Sequence, residues 1–256
     1  MEKISGISNY EYHYGKYKDY VSSTGLKNIL VSPEYYKQKQ LSSEPTSSMN
    51  LGTAVHTLLL EPEKYHSSIC VMPKFSGTGS VKAKKDFLVS IDTNTTIISE
   101  EQSLIVDSIK SKFQKNDELI NILSGGESEV SIFFEHGGTK YKVRPDYLKQ
   151  DLIIDLKTTS KPLCDFPKEC ANYKYDLSAW FYCFGAEKPN YKFLVVETNP
   201  PYNFVLFEPD SEFMEEGKRK ALMAMDILSE CSKYDIWPGI ELHQKLSLPR
   251  WYIGAK

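Results

Sequence analysis

The segment that most constrains this chain is DLIIDLKTT, residues 151–159. Leu152, Ile153 and Ile154 form an unbroken apolar run. Successive side chains of a strand point to opposite faces of a sheet, so such a run belongs to a strand covered on both sides. The neighbouring segments agree. EVSIFFEH and KYKVRPDYL flank Gly137-Gly138 and read as a hairpin. YKFLVVETNPP and YNFVLFEPD supply two further strands.

Helical segments surround this β-rich centre. Ser23 or Thr24 can cap a short helix carrying Leu26, Ile29 and Leu30, and Pro33 breaks it or opens the next one. MNLGTAVHTLLLEPEKY reads as a buried helix of about 11 residues ending near Glu61-Pro62. Ser99 and Gln102 make a capping box for a helix whose Ile105, Ile109 and Phe113 share one face. ANYKYDLSAWFYCFGA predicts one amphipathic helix stopped by Gly185, and DSEFMEEGKRKALMAMDILSECSKY predicts a long one. LSSEPTSS (41–48) reads as a polar loop, and the tail from Trp237 onward wraps back irregularly. The first 20 residues, with five tyrosines and little aliphatic material, read as an arm laid over the surface. The whole predicts a mixed α/β fold with a central sheet flanked by helices.

At 256 residues the chain suits a single domain over 1–256, with 1–50 as N-terminal arm and helix and 51–256 as core. No run approaches the ~20 apolar residues of a membrane span, and the N-terminus lacks the apolar stretch of a secretory signal. Five irregularly spaced cysteines read as reduced thiols of a cytoplasmic protein. A net charge of −3 requires that any nucleic-acid contact rest on local rather than global positive charge.

Asp155 and Lys157 lie two apart and therefore share one side of their strand. A surface salt bridge closing a buried run is the plain reading of such a pair. Asp146, next to Pro145, adds a second possibility. If the strands on either side of YLKQ pair, the two carboxylates converge, and convergent carboxylates need a cation or a proton between them. Mg²⁺ is the natural occupant, with Lys157 orienting a water or neutralising charge on a phosphate.

The spacing P-D-x8-D-x-K resembles the signature of the PD-(D/E)XK nuclease superfamily. The surrounding stretches are more specific: YVSSTGLKNILVSPEYYK, LGTAVHTLLLEPEKY, GGESEVSIFF, VRPDYL, DLKTT, YDLSAWFY and WPGIEL…LPRWY. Their order, across residues 17–252, is similar to that of RecE-type exonucleases (exodeoxyribonuclease VIII and its phage relatives). The resemblance implies a restriction-endonuclease-like core with an N-terminal helical extension. It also assigns roles. His56, otherwise a core histidine on an apolar helix, becomes a metal ligand beside Asp146, Asp155 and the carbonyl of Leu156, with Mn²⁺ able to replace Mg²⁺. Lys157 becomes the catalytic lysine. Glu129 stands where the family has an acid that touches a second metal or its water, a solvated glutamate at a strand start being the alternative, and Glu127 is a poorer candidate at the same location. Tyr182 lines the DNA groove, although Ser178 stands where relatives carry a glutamine.

Arg144 and the basic run Lys82, Lys84 and Lys85 are candidates for contact with DNA phosphates; a solvated face is the alternative for the three lysines. The implied activity is digestion of double-stranded DNA ends from 5′ to 3′, leaving 3′ tails for a single-strand annealing recombinase inside a bacterial host cell. A ring-shaped homo-oligomer, a tetramer by resemblance, would need only its channel to be positive. Two other readings remain: a non-catalytic DNA-end-binding module, and an iron–sulfur relative using Cys164 and Cys170.

Overall fold

A computed structural model describes residues 1–39, 47–77, 79–92 and 95–247. The chain opens with β1 (Glu2–Ile4), α1 (Asn9–His13), α2 (Ser23–Ile29), α3 (Pro33–Lys39) and α4 (Ser47–Leu60). It continues through α5 (Tyr65–Ser68), β2 (Ile69–Val71), α6 (Ser80–Ser90), β3 (Thr96–Ile98), α7 (Glu100–Phe113) and α8 (Asp117–Ile122). The centre holds β4 (Glu127–Ser128), β5 (Ser131–His136), β6 (Thr139–Val143), β7 (Tyr147–Leu148) and β8 (Leu152–Thr159). Then come α9 (Phe166–Tyr173), α10 (Tyr175–Ala186), β9 (Asn190–Glu197), β10 (Phe204–Phe207) and α11 (Ser211–Tyr234).

The fold is mixed α/β, but the strands do not form one central sheet. β10-β9-β8-β7-β4 make a five-stranded sheet, β1-β5-β6 a three-stranded one, and β2-β3 a small parallel pair. The expected hairpin at Gly137-Gly138 forms, pairing Ile132 with Val143 and Phe134 with Tyr141. Its second strand stops at Val143 rather than running on to Leu148. Pro145 has no N–H to give to a ladder, so the chain leaves one sheet there and enters the other at Tyr147.

β8 runs parallel to β9 and antiparallel to β7. Both of its faces are covered, as its apolar run requires. Ile153 packs in one apolar cluster with Phe193, Val195, Phe181 and residues of α11. Ile154 and Leu156 pack in the other, with Leu194, Val196 and the α4 residues Val55, Leu58 and Leu59. Helices α10 and α11 meet closely because Gly217 has no Cβ: one placed there would lie 2.1 Å from the carbonyl oxygen of Asp176.

Several helix boundaries differ from expectation. Ser22, not Ser23 or Thr24, caps α2. α4 has 14 residues, so Ser47 and Ser48 are helical, and the rest of the expected 41–48 loop lies outside the described residues. The capping box at Ser99 and Gln102 forms as expected. Gly185 does not stop its helix; it sits inside α10 because a Cβ there would meet the Phe134 ring. The single helix expected over 171–186 is broken at Lys174, which takes a left-handed backbone with φ 50°. The N-terminal arm is integrated into the fold: β1 pairs with β5, while Tyr12 and Tyr17 are buried against Phe133. At the other end, Trp237 stacks on Tyr36 and the Pro238 carbonyl accepts from the Glu34 N–H. The LPRWY segment lies outside the described residues. Among the described residues no helix is long and apolar enough to cross a membrane.

Candidate metal centre

The β7–β8 register pairs Tyr147 with Ile154. Carried one position further, it sets Asp146 opposite Asp155. The backbone N–H of Leu156 donates to Asp146 Oδ2 at 2.7 Å and fixes that carboxylate against β8. α4 brings His56 to the same point: Nε2 lies 2.9 Å from the Leu156 carbonyl and Nδ1 3.7 Å from Asp146 Oδ2. A carbonyl can only accept, so Nε2 must carry the proton. The bare lone pair of the neutral ring is then on Nδ1, the nitrogen nearer Asp146.

Glu129 completes the group. Ligand atoms of His56, Glu129 and Asp146 all lie within 4.8 Å of one another. Glu129 reaches this position with a left-handed backbone, φ 52°, and its N–H donates to the Asp146 carbonyl. A residue with a Cβ adopts that conformation at a cost of about 1–2 kcal/mol, and such strain concentrates at functional sites. Exposed Glu127 is ion-paired to Lys3 at 2.6 Å, away from this group.

Asp155 is placed differently from the aspartate of the expected ligand set. It is buried and ion-paired with Lys157 on the same side of β8. The ammonium of Lys157 also lies 3.3 Å from the Leu156 carbonyl. That carbonyl, assigned to a metal by resemblance, thus accepts from both His56 and Lys157 here. The compact group around Asp146 thus contains Glu129, the further acid expected near the site, with Asp155 alongside in its pair with Lys157.

The electrostatics favour a cation. Burial raises the Glu129 carboxyl to about 8, with Asp146 adding to the shift. Burial also raises Asp146, helped by Asp155 and opposed by His56 and Lys157. Burial disfavours the charge on Lys157, but Asp155 and Asp146 outweigh it, so its pKa is raised and it stays an ammonium. Two carboxylates held close in a poorly solvated place, beside a free imidazole nitrogen, form a donor set that fits a divalent cation.

A pH dependence follows. An acid whose folded pKa exceeds its ordinary 4.5 stabilises the cation-free fold while it holds its proton, and that contribution is lost as pH rises through about 8. A cation must displace the same proton. MgCl₂ is therefore expected to raise the melting temperature more at about pH 8.5 than at about pH 6. Equal shifts at the two pH values, read by differential scanning fluorimetry, would contradict this coupling.

The other expected contacts fall in varied surroundings. Arg144 is buried, and its guanidinium donates to Ser131 Oγ, Asn9 Oδ1 and the Ile7 carbonyl while covering the Tyr12 ring at 3.9 Å. These bonds tie it to the N-terminal segment, and it lines the same cleft as His56, Glu129 and Asp146. Tyr182 lies on α10 near Asp155 and Asp146, with its hydroxyl bonded to the Ser23 side chain, and burial raises its pKa. Lys82, Lys84 and Lys85 are exposed on α6. Phe181 is buried in the core, while Tyr175 is only partly buried. Lys27 and Lys157 lie 5.2 and 5.5 Å from its ring centre. Lys27 falls on a short helix far from the motif, and nothing local to it signals its place at this site. All five cysteines are free thiols.

A family model described as a PDDEXK-like domain of unknown function (DUF3799) matches residues 22–242. Among solved structures, a "Putative exonuclease" from Eubacterium rectale superposes with a TM-score of 0.65 at 15% identity, over 98% of this chain and 99% of that one. A phage related exonuclease from Haemophilus somnus (TM-score 0.37, 12% identity, 85% of this chain and 96% of that one) also matches. So does an alkaline exonuclease from Laribacter hongkongensis (TM-score 0.33, 12% identity, 71% and 90%). No curated protein matches the chain.

Proposed function

Because this chain belongs to the PDDEXK-like family of unknown function DUF3799, we propose that it is a divalent-metal-dependent DNA exonuclease. The observation that carries the proposal is the convergence of His56, Glu129 and Asp146, from three separate segments, beside the Asp155–Lys157 ion pair. His56, Asp146 and Glu129 would hold the cation, with Asp155 adjoining them; Mg²⁺ is the expected ion and Mn²⁺ a substitute. When bound, such a cation polarises a phosphate and lowers the pKa of a coordinated water.

The chain's own residues supply the rest. Lys157 is kept charged by Asp155, so it can donate a hydrogen bond to a phosphate oxygen or hold the attacking water. Burial raises the Glu129 carboxyl to about 8 in the cation-free protein, so it holds a proton that a bound cation would release. The Leu156 N–H and the Asp146 carboxylate keep β7 and β8 in register at the reacting point. The cleft lined by His56, Glu129, Asp146 and Lys64 gives a strand access to these groups.

The likeness of the motifs to RecE-type exonucleases supports a finer reading. The substrate is the end of linear duplex DNA, digested from 5′ to 3′ to leave a 3′ tail. The partners are further copies of the chain in a ring and a single-strand annealing recombinase. Duplexes blocked at the 5′ or the 3′ terminus test this. With MgCl₂, nucleotide release is expected from the 3′-blocked duplex and not from the 5′-blocked one, and EDTA should stop it. Binding of duplex ends with no release in Mg²⁺ or Mn²⁺ would select the non-catalytic end-binding reading instead.

A further inference from the structure

Beyond His56 lies a second groove. It shares Met49, Gly52 and His56 with the carboxylate cleft, and is lined further along by Lys157, Thr159, Ser160, Lys161, Tyr173 and Tyr175. Its volume of ≈ 470 Å³ is that of a small-molecule site. Two features of its wall are unusual. The rings of Tyr173 and Tyr175 stack, with centroids 5.6 Å apart and planes inclined by 28°. Residues two apart in a continuous helix do not face each other, so this stack exists because Lys174 breaks α9 from α10 with a left-handed backbone. That conformation is costly for a residue with a Cβ and is taken up far more readily by glycine.

The stack is also flanked by positive charge. Lys27 and Lys157 both lie over the Tyr175 ring. Burial, and to a lesser degree the nearby Lys157, pull Lys27 down to about 8. Lys161 stands along the same groove in an ion pair with Glu169 at 3.1 Å. The Glu169 side chain is 14% exposed and that of Lys161 55%, so the ammonium, with three donors, keeps hydrogens turned to solvent that a phosphate can accept from while the pair stays intact. Tyr173 is 55% exposed. An aromatic face open to solvent beside Lys157 and Lys161 of the same groove is the kind of arrangement that binds unpaired nucleotides: bases stack on the ring while the backbone follows the charge.

We propose that this groove binds single-stranded DNA, with the open face of Tyr173 stacking on an unpaired base next to the reacting phosphate. The inference rests on the nuclease reading for its placement along a DNA strand. Tyr173 would hold the nucleotide that leaves the duplex, and Lys161 would contact a phosphate beside it.

The test needs no cleavage. Fluorescein-labelled dT12 and an abasic strand of equal length would be titrated in EDTA with the full chain and with Tyr173→Ala, Tyr173→Leu and Tyr173→Phe, each checked for folding by circular dichroism. Tyr173→Ala and Tyr173→Leu are expected to bind dT12 about 5- to 100-fold more weakly than wild type, with Tyr173→Phe within about 2-fold. The abasic strand should bind all four proteins alike. Unchanged dT12 affinity in the alanine and leucine variants, an equal loss on the abasic strand, or no preference of wild type for dT12 over the abasic strand would each overturn the proposal. If the variants behave as expected but wild type releases no nucleotides in Mg²⁺, the groove stands and the nuclease reading falls.

Discussion

Asp146→Asn is expected to lower Mg²⁺-dependent release of nucleotides by roughly 10²- to 10³-fold or more, the scale of losing one preorganised charge at a transition state. The substitution is nearly isosteric. An asparagine oxygen can still accept the Leu156 N–H that Asp146 Oδ2 accepts at 2.7 Å, so the β7–β8 register should survive. Asp146 is a carboxyl whose burial already opposes its charge. Removing that charge should therefore leave the cation-free melting temperature unchanged or slightly higher, while the increment produced by MgCl₂ disappears. Retained activity, or a retained MgCl₂ increment, would remove Asp146 from the centre.

Lys157→Ala should act through stability as well as activity. Asp155 is 5% exposed and its carboxylate is paired with Lys157. Taking away one partner of a buried pair leaves the other charge uncompensated and costs about 3–5 kcal/mol. The side chain of Lys157 retains 26% exposure, which places the expected loss near the lower end of that range. Even so it is a large part of the ~5–15 kcal/mol that holds a typical domain folded. Urea unfolding of the variant should show a lower midpoint with an unchanged slope. The double variant Asp155→Leu with Lys157→Met should recover most of the stability and none of the activity, since replacing both charges by apolar groups removes the desolvation penalty along with the pair. A single variant as stable as wild type would mean that solvent already screens the pair.

The parts of this structure that sequence could reveal are those set by local chemistry. The Leu152–Ile154 run could only be a doubly covered strand, Gly137-Gly138 only a tight turn, and Ser99 with Gln102 a helix start. Asp155 and Lys157 share a face because strands alternate. Features decided by distant partners were hidden. Arg144 reads as a phosphate contact beside the motif, but its partners Asn9 and Ile7 lie more than a hundred residues away. His56 sits on a helix whose periodicity looks like core, and only resemblance singled it out. Glu129 was one acid of two near a strand start; its left-handed backbone, which aims it at Asp146, has no signature in a glutamate. Lys174 likewise breaks a helix without any of the usual glycine or proline signals. The division of the sheet did have a signal, the missing N–H of Pro145.

The proposed chemistry needs a divalent cation held by side chains that come together only in the folded chain. Anomalous scattering from crystals soaked in MnCl₂ tests this most directly. The expected result is a manganese peak enclosed by His56, Glu129 and Asp146, next to the Asp155–Lys157 pair, and absent from crystals of Asp146→Asn. No peak there at saturating MnCl₂, or a peak only among surface carboxylates elsewhere, would contradict the assignment.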